Sequence, residues 1–439
     1  MGKQILVIGA GKSASVLIEF LQKKLVEKNW YMVLADADPN IAAKKWNNAP
    51  NGHSIGLDIQ HTGQRREIIQ NADVVISMLP AFLHFEVAKD CLDLGKALFT
   101  ASYVDDSMRS IAPKIKERNL LFLCEMGLDP GIDHMSAMEL IDRIKAKNGQ
   151  ITGFKSHCGG LIAPDSDTNP WHYKISWNPR NIILAGKAGA VYLENGQEKA
   201  LHYKQIFDHC AELEVPNWGA LAYYPNRDSL AYINTYQLQG VQDFVRTTLR
   251  HPDFCKAWNI IIQMGLTNED PITTPLTTIA NWFEDQLNKN DYRSIWEKYL
   301  QDSTIKKQMD FLELNVSTLI PSTLNTNAAI IQWIVEGKWK LDEWDKDAVV
   351  MMHEIDFQIN GDAQKITSSL VLEGKDNIHT AMATTVGLPL AMATEAYLEG
   401  DLNLTGLHIP TIPAIYQPIL KKLAEEGIEF YEARVGSHS

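Results

Sequence analysis

The chain has 439 residues, of which 45% are hydrophobic, 9% aromatic and 22% charged, a composition typical of a folded globular protein. It argues against a disordered, collagen-like or coiled-coil chain, and at roughly 150 residues per domain the length predicts about three structural units. The formal net charge of -13 gives no basis for binding nucleic acid or an anionic membrane.

No apolar run approaches the roughly 18 residues that a membrane span needs, and the N-terminus has the pattern of a strand entering a loop, not of a cleavable leader. We therefore predict a cytoplasmic protein. Its five cysteines are widely spaced and include no CxxC pair that could hold zinc or exchange thiols. We expect free thiols and no metal.

The first third of the chain alternates short β-branched runs with helical stretches, from QILVIG, SVLIEFLQKKL and YMVLAD to DVVISML and KALFTAS. In the first helix Leu17, Leu21 and Leu25 recur at four-residue intervals, so one apolar face can cover a sheet. This βαβ series predicts an α/β fold with a Rossmann-type doubly wound parallel sheet.

From about residue 150 the pattern changes to hairpin-like strands, with turns predicted at Asn195-Gly196 and at Gly361. These strands predict a second, mixed α/β domain. Segments such as FCKAWNIIIQMGL have helical spacing without clear strand alternation, and they predict a helical insertion. The C-terminal segment has the pattern helix, helix, strand, and we expect it to return to the first domain.

These patterns predict a chain in three parts. The parts are a dinucleotide-binding domain of residues 1–127 and 376–439, a mixed-sheet substrate domain of residues 128–235 and 345–375, and a helical insertion of residues 236–344. Ligands are expected in the crevice at the carboxyl ends of the first sheet.

A glycine-rich loop directly follows the first predicted strand and opens a helix, the context in which GxGxxG/A binds a dinucleotide pyrophosphate. In this loop Gly9 permits the tight turn, Gly11 lets the backbone approach the phosphates and Ala14 allows close helix packing. The alternative is a strand-to-helix turn without a ligand. The loop residues are Gly9, Ala10, Gly11, Lys12, Ser13 and Ala14.

Asp36 ends the second predicted strand, where a carboxylate can accept hydrogen bonds from the adenosine ribose. It favours NAD, because the 2′-phosphate of NADP would face a like charge. No Arg follows immediately to neutralise a 2′-phosphate, and Lys44 and Lys45 are possible but remote cations for it. The alternative interpretation of Asp36 is a solvated residue at the end of a strand. A nucleotide triphosphatase loop is excluded, because its first glycine would fall at Leu6.

Several longer motifs follow in order: DVVISMLP, TASYVDDSM, GLDPGIDH, SHCGGLIAPDSDTNPWHYKISW, YYPNRDS and VRTTLR. With these motifs the sequence resembles the saccharopine dehydrogenase family of the L-glutamate-forming type, also called saccharopine reductase. The resemblance is weaker in the helical insertion and the C-terminal half. Fungal members carry an Arg after the second strand for NADP, whereas Asp36-Ala37 is closer to the NAD-using animal relatives.

The resemblance implies that saccharopine is oxidised at the terminal carbon of its lysine part, and that the imine is hydrolysed to glutamate and 2-aminoadipate semialdehyde. The cofactor, NAD or NADP, carries the hydride. The implied cofactor residues are those of the glycine-rich loop together with Asp36, Asp58, Ser77, Leu79 and Ser176.

The resemblance also implies that Arg227 binds a substrate carboxylate through its two parallel donors, with a surface ion pair to Asp228 as the alternative. Gly159 and Gly160 would let main-chain N–H groups approach the substrate, unless they mark a strand bulge. The implied substrate-binding residues are Ser102, Tyr103, Asp129, Cys158, Gly159, Gly160, Asn226, Arg227 and Thr248.

For proton transfer the candidates are Asp129, Tyr103 and Cys158, whose roles the sequence does not separate. Each also has a structural alternative: a loop or helix cap for Asp129, wall packing for Tyr103 and a small buried apolar group for Cys158. We interpret Asp133 as a cap and His134 as structural. His379 precedes a C-terminal helix and is a further candidate to line the site.

Alternative functions remain open at this point. Carboxynorspermidine-type and lysine dehydrogenases share the dinucleotide domain and take substrates with fewer carboxylates, and they are favoured if Arg227 points to solvent. A non-catalytic NAD-binding protein is an alternative of a different class. The expected partner is a small-molecule substrate, and the second-domain sheet offers a surface for a homodimer, as in the family.

Overall fold

The computed structural model describes residues 2–208, 210–273 and 277–435. Within it the chain divides into two compact units, one made of Met1–Asn148 and Ile378–Glu429 and the other of Gly149–Asn377 and Phe430–Ser439. Parts of the predicted domain ranges lie outside the described residues, namely positions 1, 209, 274–276 and 436–439.

The N-terminal part of the first unit alternates strands with helices, as its apolar periodicity predicts. Its strands are β1 (Gln4–Ile8), β2 (Tyr31–Asp36), β3 (Gly52–Gly56), β4 (Val74–Ser77), β5 (Ala97–Thr100) and β6 (Leu121–Leu123). Its helices are α1 (Ser15–Lys28), α2 (Pro39–Trp46), α3 (Thr62–Gln70), α4 (His84–Leu94), α5 (Asp106–Glu117) and α6 (Ile132–Lys145).

The second unit begins with a long strand and carries most of its helices between two later strands. Its strands up to residue 373 are β7 (Gln150–Ile162), β8 (Ala190–Glu194), β9 (Gln197–Leu201), β10 (Ala211–Val215), β11 (Gly219–Pro225), β12 (Arg227–Asp228), β13 (Asp243–Arg250), β14 (Asp347–Ile359) and β15 (Asp362–Glu373). Its helices are α7 (Pro179–Ile183), α8 (Ala231–Thr235), α9 (Pro252–Gln263), α10 (Ile279–Leu287), α11 (Tyr292–Tyr299), α12 (Ser303–Leu312) and α13 (Asn327–Lys338).

The chain then returns to the first unit and ends in the second. The remaining elements are α14 (Ala381–Glu399), β16 (Gly406–His408), α15 (Pro413–Glu425) and β17 (Tyr431–Val435). None of the helices in the described part of the chain is both long and apolar enough to cross a bilayer. All five cysteines are described, and none of them is in a disulfide.

The first unit is built on a seven-stranded sheet in the order β16-β6-β5-β4-β1-β2-β3, and all of its pairings are parallel. Its inner strands β1, β4, β5 and β6 are nearly inaccessible to solvent, as expected for a parallel sheet with both faces covered, whereas the edge strand β3 is partly exposed. Strand order reverses between β1 and β4, the point at which doubly wound sheets bind ligands. The predicted Rossmann-type sheet is confirmed.

Helix α14 crosses α1 closely. A Cβ atom at Gly387 would lie 2.9 Å from the backbone nitrogen of Leu17, so the two helices approach closer than a larger residue would allow.

The second unit contains a ten-stranded mixed sheet with the path β10-β11-β13-β7-β14-β15-β17 and with β8, β9 and β12 beside it. Strand β13 is parallel to β7, whereas β14 is antiparallel to β7. Both predicted hairpins are present, and their turn residues have the positive φ that such turns require. These residues are Asn195, Gly196, Asn360 and Gly361, with φ values of +50°, +71°, +54° and +90°.

The hydrophobic core of the second unit contains a buried aromatic cluster, to which α9 contributes Phe254 and Trp258. Its largest members are almost fully buried and meet at ring-centroid distances of 5.2 to 6.1 Å. We name it the aromatic cluster; it comprises Trp171, Tyr173, Phe254, Trp258 and Trp339.

The two units differ from the three predicted parts, because residues 236–344 belong to the second unit and do not form a unit of their own. The boundaries also differ. Residues 128–148 belong to the first unit, because α6 packs against α15, where the Tyr416 hydroxyl donates to Asp142 Oδ2 at 2.6 Å. Residues 243–250 form strand β13 inside the predicted helical insertion, because their backbone pairs with β7 and β11. Strand β17 pairs with β15, so the chain ends in the second unit.

Candidate functional site

The glycine-rich loop leads from β1 through a short 3-10 turn (Lys12–Ala14) into α1. Gly9 has a φ of +105°, and a Cβ there would lie 2.8 Å from the carbonyl oxygen of Met78, so the turn requires glycine. A Cβ at Gly11 would meet nothing within 4 Å. The backbone at Gly11 is thus open to a ligand, and the loop fits a dinucleotide pyrophosphate.

The carboxylate of Asp36 lies beside this loop. Its Oδ2 accepts the N–H of Ala10 at 2.6 Å, and its Oδ1 accepts the N–H of Asp38 at 3.0 Å. The acid that ends β2 is therefore held next to the loop, which is where recognition of an adenosine ribose requires it.

Lys45 also reaches the loop. Its Nζ donates to the carbonyl oxygen of Gly11 and, at 2.8 Å, to Ser15 Oγ. The prediction that Lys45 is remote is wrong, because the packing of α2 against α1 brings this side chain back to the loop. Burial lowers the pKa of Lys45 to about 8, although Asp36 and Glu19 favour its charged form.

The remaining predicted cofactor residues lie in different parts of the chain. Asp58 is exposed after β3, and Leu79 is half-buried after β4, at the sheet edge that also carries the glycine-rich loop. Ser176 is buried in the second unit. His379 pairs with Glu19 at 3.0 Å in the first unit.

Ser77 and Ser102 are joined by a histidine that the sequence did not reveal. His84 Nδ1 lies 2.8 Å from Ser77 Oγ, and its Nε2 lies 2.7 Å from Ser102 Oγ. Burial lowers the pKa of His84 to about 4, so the ring is neutral at pH 7 and joins two hydroxyls without adding charge. These two hydrogen bonds fix the Ser102 hydroxyl just after the carboxyl end of β5.

Tyr103 and Asp129 are brought together by the fold of the first unit. The Tyr103 hydroxyl donates to Asp129 Oδ1 at 3.0 Å, and both side chains are partly exposed. A tyrosine hydroxyl that donates to a carboxylate can relay a proton between that carboxylate and a substrate atom, in either direction. The pair is therefore equipped for acid–base chemistry.

A buried carboxylate supports the loops that carry this pair. Glu125 has a φ of +58°, its Oε1 accepts the N–H of Val104 at 2.9 Å and its Oε2 lies 2.8 Å from His134 Nε2. Asp133 Oδ1 accepts the N–H of Gly131 at 2.6 Å, in the turn that precedes α6. Glu125 had no signal in the sequence, because its partners are defined only by the fold.

In the second unit, strands β7, β11 and β13 align the other predicted residues. Thr248 is the register partner of Cys158 on one side and of Tyr224 on the other. Cys158 is buried, and Thr248 is partly exposed. These side chains share one region of the mixed sheet.

Gly159, the first glycine of the pair in β7, lies against a neighbouring strand and does not leave open space for a ligand where its Cβ would be. A Cβ at Gly159 would lie 2.6 Å from the carbonyl oxygen of Leu249, so this glycine accommodates the neighbouring strand. Gly160 is partly exposed and pairs with Val349 of β14. Close strand packing therefore accounts for Gly159.

Asn226 and Arg227 follow β11 directly. The N–H of Asn226 donates to the carbonyl oxygen of Arg246 at 2.9 Å. Arg227 is exposed and has a φ of +56°, a conformation that non-glycine residues seldom adopt without a local reason. Together with Asp228 it forms β12, which pairs with β8.

Two successive segments of the chain match families of known proteins. Residues 5–123 match the family described as Saccharopine dehydrogenase NADP binding domain, and residues 127–428 match Saccharopine dehydrogenase C-terminal domain. The chain belongs to the saccharopine dehydrogenase family. The resemblance predicted from the sequence motifs is thus confirmed.

Relatives in this family match nearly all of the chain. The alpha-aminoadipic semialdehyde synthase of Arabidopsis thaliana is 31% identical over 98% of this chain and 44% of its own length, and the mitochondrial protein of that name from Bos taurus is 31% identical over 98% and 47%. The chain therefore spans less than half the length of these two relatives.

A fungal relative matches from end to end. Saccharopine dehydrogenase [NADP(+), L-glutamate-forming] of Saccharomyces cerevisiae is 28% identical over 99% of this chain and 100% of its own. The structure of apo histidine-tagged saccharopine dehydrogenase (L-Glu forming) from the same yeast has a TM-score of 0.89 at 27% identity, covering 99% of this chain and 100% of that one.

Proposed function

We propose that this member of the saccharopine dehydrogenase family oxidises saccharopine to L-glutamate and 2-aminoadipate 6-semialdehyde, or catalyses the reverse reaction, in lysine metabolism. The observation that carries this proposal is the end-to-end match, in sequence and fold, to the yeast L-glutamate-forming enzyme. A cytoplasmic location and a homodimer remain predictions.

The family match supports a nicotinamide dinucleotide as the cofactor, since residues 5–123 match an NADP-binding domain. A bound nicotinamide would supply hydride acceptance or donation. Gly9 and Gly11 shape the loop for its pyrophosphate, and Asp36 is suited to the ribose hydroxyls of NAD. Lys45 supplies a cation at the same loop, so we propose that NADP is also accepted.

Oxidation of a secondary amine and hydrolysis of the imine require protons to leave the amine and the attacking water and to reach the departing amine. We propose that Tyr103 and Asp129 move these protons, because their hydrogen bond links an acid and a base. Ser102, held by His84, is suited to donate to a substrate carboxylate. Cys158 is less suited to proton transfer, since it is buried within β7.

The exposure of Arg227 favours a second candidate function, that of a carboxynorspermidine-type or lysine dehydrogenase, because substrates with fewer carboxylates need fewer buried cations. Purified protein should be incubated with NAD or NADP and with saccharopine, L-lysine or carboxynorspermidine in separate cuvettes, and absorbance of the reduced nicotinamide followed. We expect the absorbance to increase with saccharopine and not with the other two substrates. An increase with lysine or carboxynorspermidine but not with saccharopine would refute the proposal.

A further inference from the structure

Two histidines and an aspartate from distant segments come together in the second unit. One ring nitrogen of His172, one ring nitrogen of His251 and one carboxylate oxygen of Asp253 all lie within 4.8 Å of one another. All three residues are partly exposed, so an ion from solution can reach them. None of them is among the residues predicted to bind the cofactor or the substrate.

The aromatic cluster fixes the backbone beside both histidines. His172 stands between Trp171 and Tyr173, which are almost fully buried. His251 is the N-cap residue of α9, and the first turn of this helix carries Phe254. The Phe254 ring lies 6.0 Å and 5.3 Å from the rings of Trp171 and Tyr173, measured between centroids. The two segments are therefore positioned by buried packing before any ligand binds.

The two imidazole rings contact each other directly. Their centroids are 3.8 Å apart and their planes differ by 26°. Two protonated rings would repel each other strongly at this distance, so one ring at least is neutral and keeps a lone pair for a metal ion. The N–H of Asp253 donates to Nδ1 of His251 at 3.3 Å, which places these two residues on the same turn of α9.

Asp167 supports the ring of His172. Its Oδ2 lies 2.6 Å from Nδ1 of His172, and a proton held on that nitrogen leaves the lone pair on Nε2. Metal-binding histidines commonly have such a carboxylate on their second nitrogen, which fixes the tautomer and makes the ring a stronger ligand. The other oxygen of Asp167 is buried and has no hydrogen-bond partner among the described residues. A cation bound to His172 would therefore also offset a poorly solvated negative charge.

The donor set selects the class of ion. Imidazole nitrogens with one carboxylate oxygen suit Zn²⁺ and its first-row neighbours, whereas Mg²⁺ and Ca²⁺ prefer oxygen ligands alone. The carboxylate of Asp253 is not strongly engaged elsewhere. Lys256 reaches its Oδ1 only at 3.5 Å, and the lysine side chain is 60% exposed, so this ion pair is weak.

We propose that His172, His251 and Asp253 bind a divalent transition-metal ion of the Zn²⁺ class. Asp167 supports the first of these ligands, and water completes the coordination. Tetrahedral bonds of about 2.0–2.2 Å separate neighbouring ligand atoms by roughly 3.3–3.6 Å. The three atoms must approach one another by about 1 Å, which the broad terminal torsions of His and Asp side chains allow. The ion would tie the segment before Tyr173 to the start of α9.

The test uses the full chain without an affinity tag, stripped of metal with EDTA and then freed of the chelator. Zn²⁺ binding is measured by isothermal titration calorimetry, and thermal unfolding is followed with and without Zn²⁺. His172→Asn and His251→Asn each remove one ligand. Asn tolerates the φ of +52° at position 172 and retains a helix cap at position 251.

His61→Asn is the matched control, because His61 caps α3 through the same type of hydrogen bond and is not part of the group. We expect one Zn²⁺ per chain in the unmodified protein and in this control, with a raised unfolding temperature. The changes at His172 and His251 should each weaken Zn²⁺ binding more than about 100-fold and abolish that shift, and Asp167→Asn should weaken it about 10- to 100-fold.

Unfolding temperatures measured in EDTA should be unchanged in these variants, so that lost Zn²⁺ binding reports a lost ligand. No binding of Zn²⁺ by the unmodified protein, or unchanged affinity in either histidine variant, would refute the proposal. The visible spectrum of the Co²⁺-loaded unmodified protein is a second test that needs no variant. Intense bands typical of tetrahedral Co²⁺ are expected, and only the weak bands of an octahedral aqua ion would overturn the site. All of these measurements are made without saccharopine, so they are independent of the proposed function.

Discussion

Replacing Lys45 by Met should weaken the binding of a 2′-phosphorylated adenosine far more than that of an unphosphorylated one. The ammonium group lies on the glycine-rich loop and interacts electrostatically with Asp36, the acid expected at the ribose. A cation about 5 Å from a phosphate charge contributes about 3 kcal/mol at an effective dielectric constant near 20. Because Lys45 is only partly buried, we expect about 1–2 kcal/mol, or about 5- to 30-fold.

The assay is isothermal titration calorimetry with 2′,5′-ADP and 5′-AMP, which separates binding from turnover. Lys44→Met is the matched control, since Lys44 is the exposed neighbour of Lys45 on α2. In Lys45→Met we expect 2′,5′-ADP to bind 5- to 30-fold more weakly, as an order-of-magnitude figure, and 5′-AMP to change less than about twofold. Equal losses for both ligands would show that Lys45 only supports the loop.

The same contact has a pH dependence of defined sign. Burial lowers the pKa of Lys45 to about 8, against the opposing influence of Asp36 and Glu19. As the pH rises through that value the ammonium loses its proton, whereas the phosphate stays doubly charged above about pH 6. The preference for 2′,5′-ADP should therefore fall as the pH rises above 8 in the unmodified protein, and Lys45→Met should not show this fall.

Tyr103→Phe and Asp129→Asn should each lower kcat for saccharopine by about 10²- to 10⁴-fold without changing cofactor affinity, measured by initial rates and fluorescence titration. Rates within about twofold of the unmodified protein would remove both residues from the chemistry. Gly387→Ala should lower the free energy of unfolding by about 1–3 kcal/mol in urea, because its Cβ would lie 2.9 Å from Leu17 N. Gly337 lies on α13, where an added Cβ would meet nothing within 4 Å, so Gly337→Ala should instead raise the free energy of unfolding by about 0.5–1 kcal/mol. A loss of stability in this variant would contradict the packing argument.

Local sequence determined much of the fold. The βαβ alternation of the first third predicts the parallel sheet, because apolar periodicity directly reflects which faces of a strand or helix are buried. The turns at Asn195-Gly196 and near Gly361 were predictable, since positive φ restricts the choice of residue. Strand β13 was missed because its burial on both faces removes the alternation that marks a strand.

The candidate site was predictable only in part. Tyr103 and Asp129 stand in motifs that the sequence displays, but the hydrogen bond between them joins segments 26 positions apart. His84 had no signal, since a single histidine among 13 is uninformative until its ring is seen between Ser77 and Ser102.

The sequence by itself determined the family, the parallel sheet and the glycine-rich loop, because motifs, periodicity and the demand for glycine are written into neighbouring residues. Only the tertiary structure decided that Lys45 lies on the loop, that Gly159 makes room for Leu249 and that His84 joins Ser77 to Ser102. Burial and pairing depend on which distant segments pack together, and a charged residue has the same letter in the sequence whether solvent, a carboxylate or an aromatic ring surrounds it.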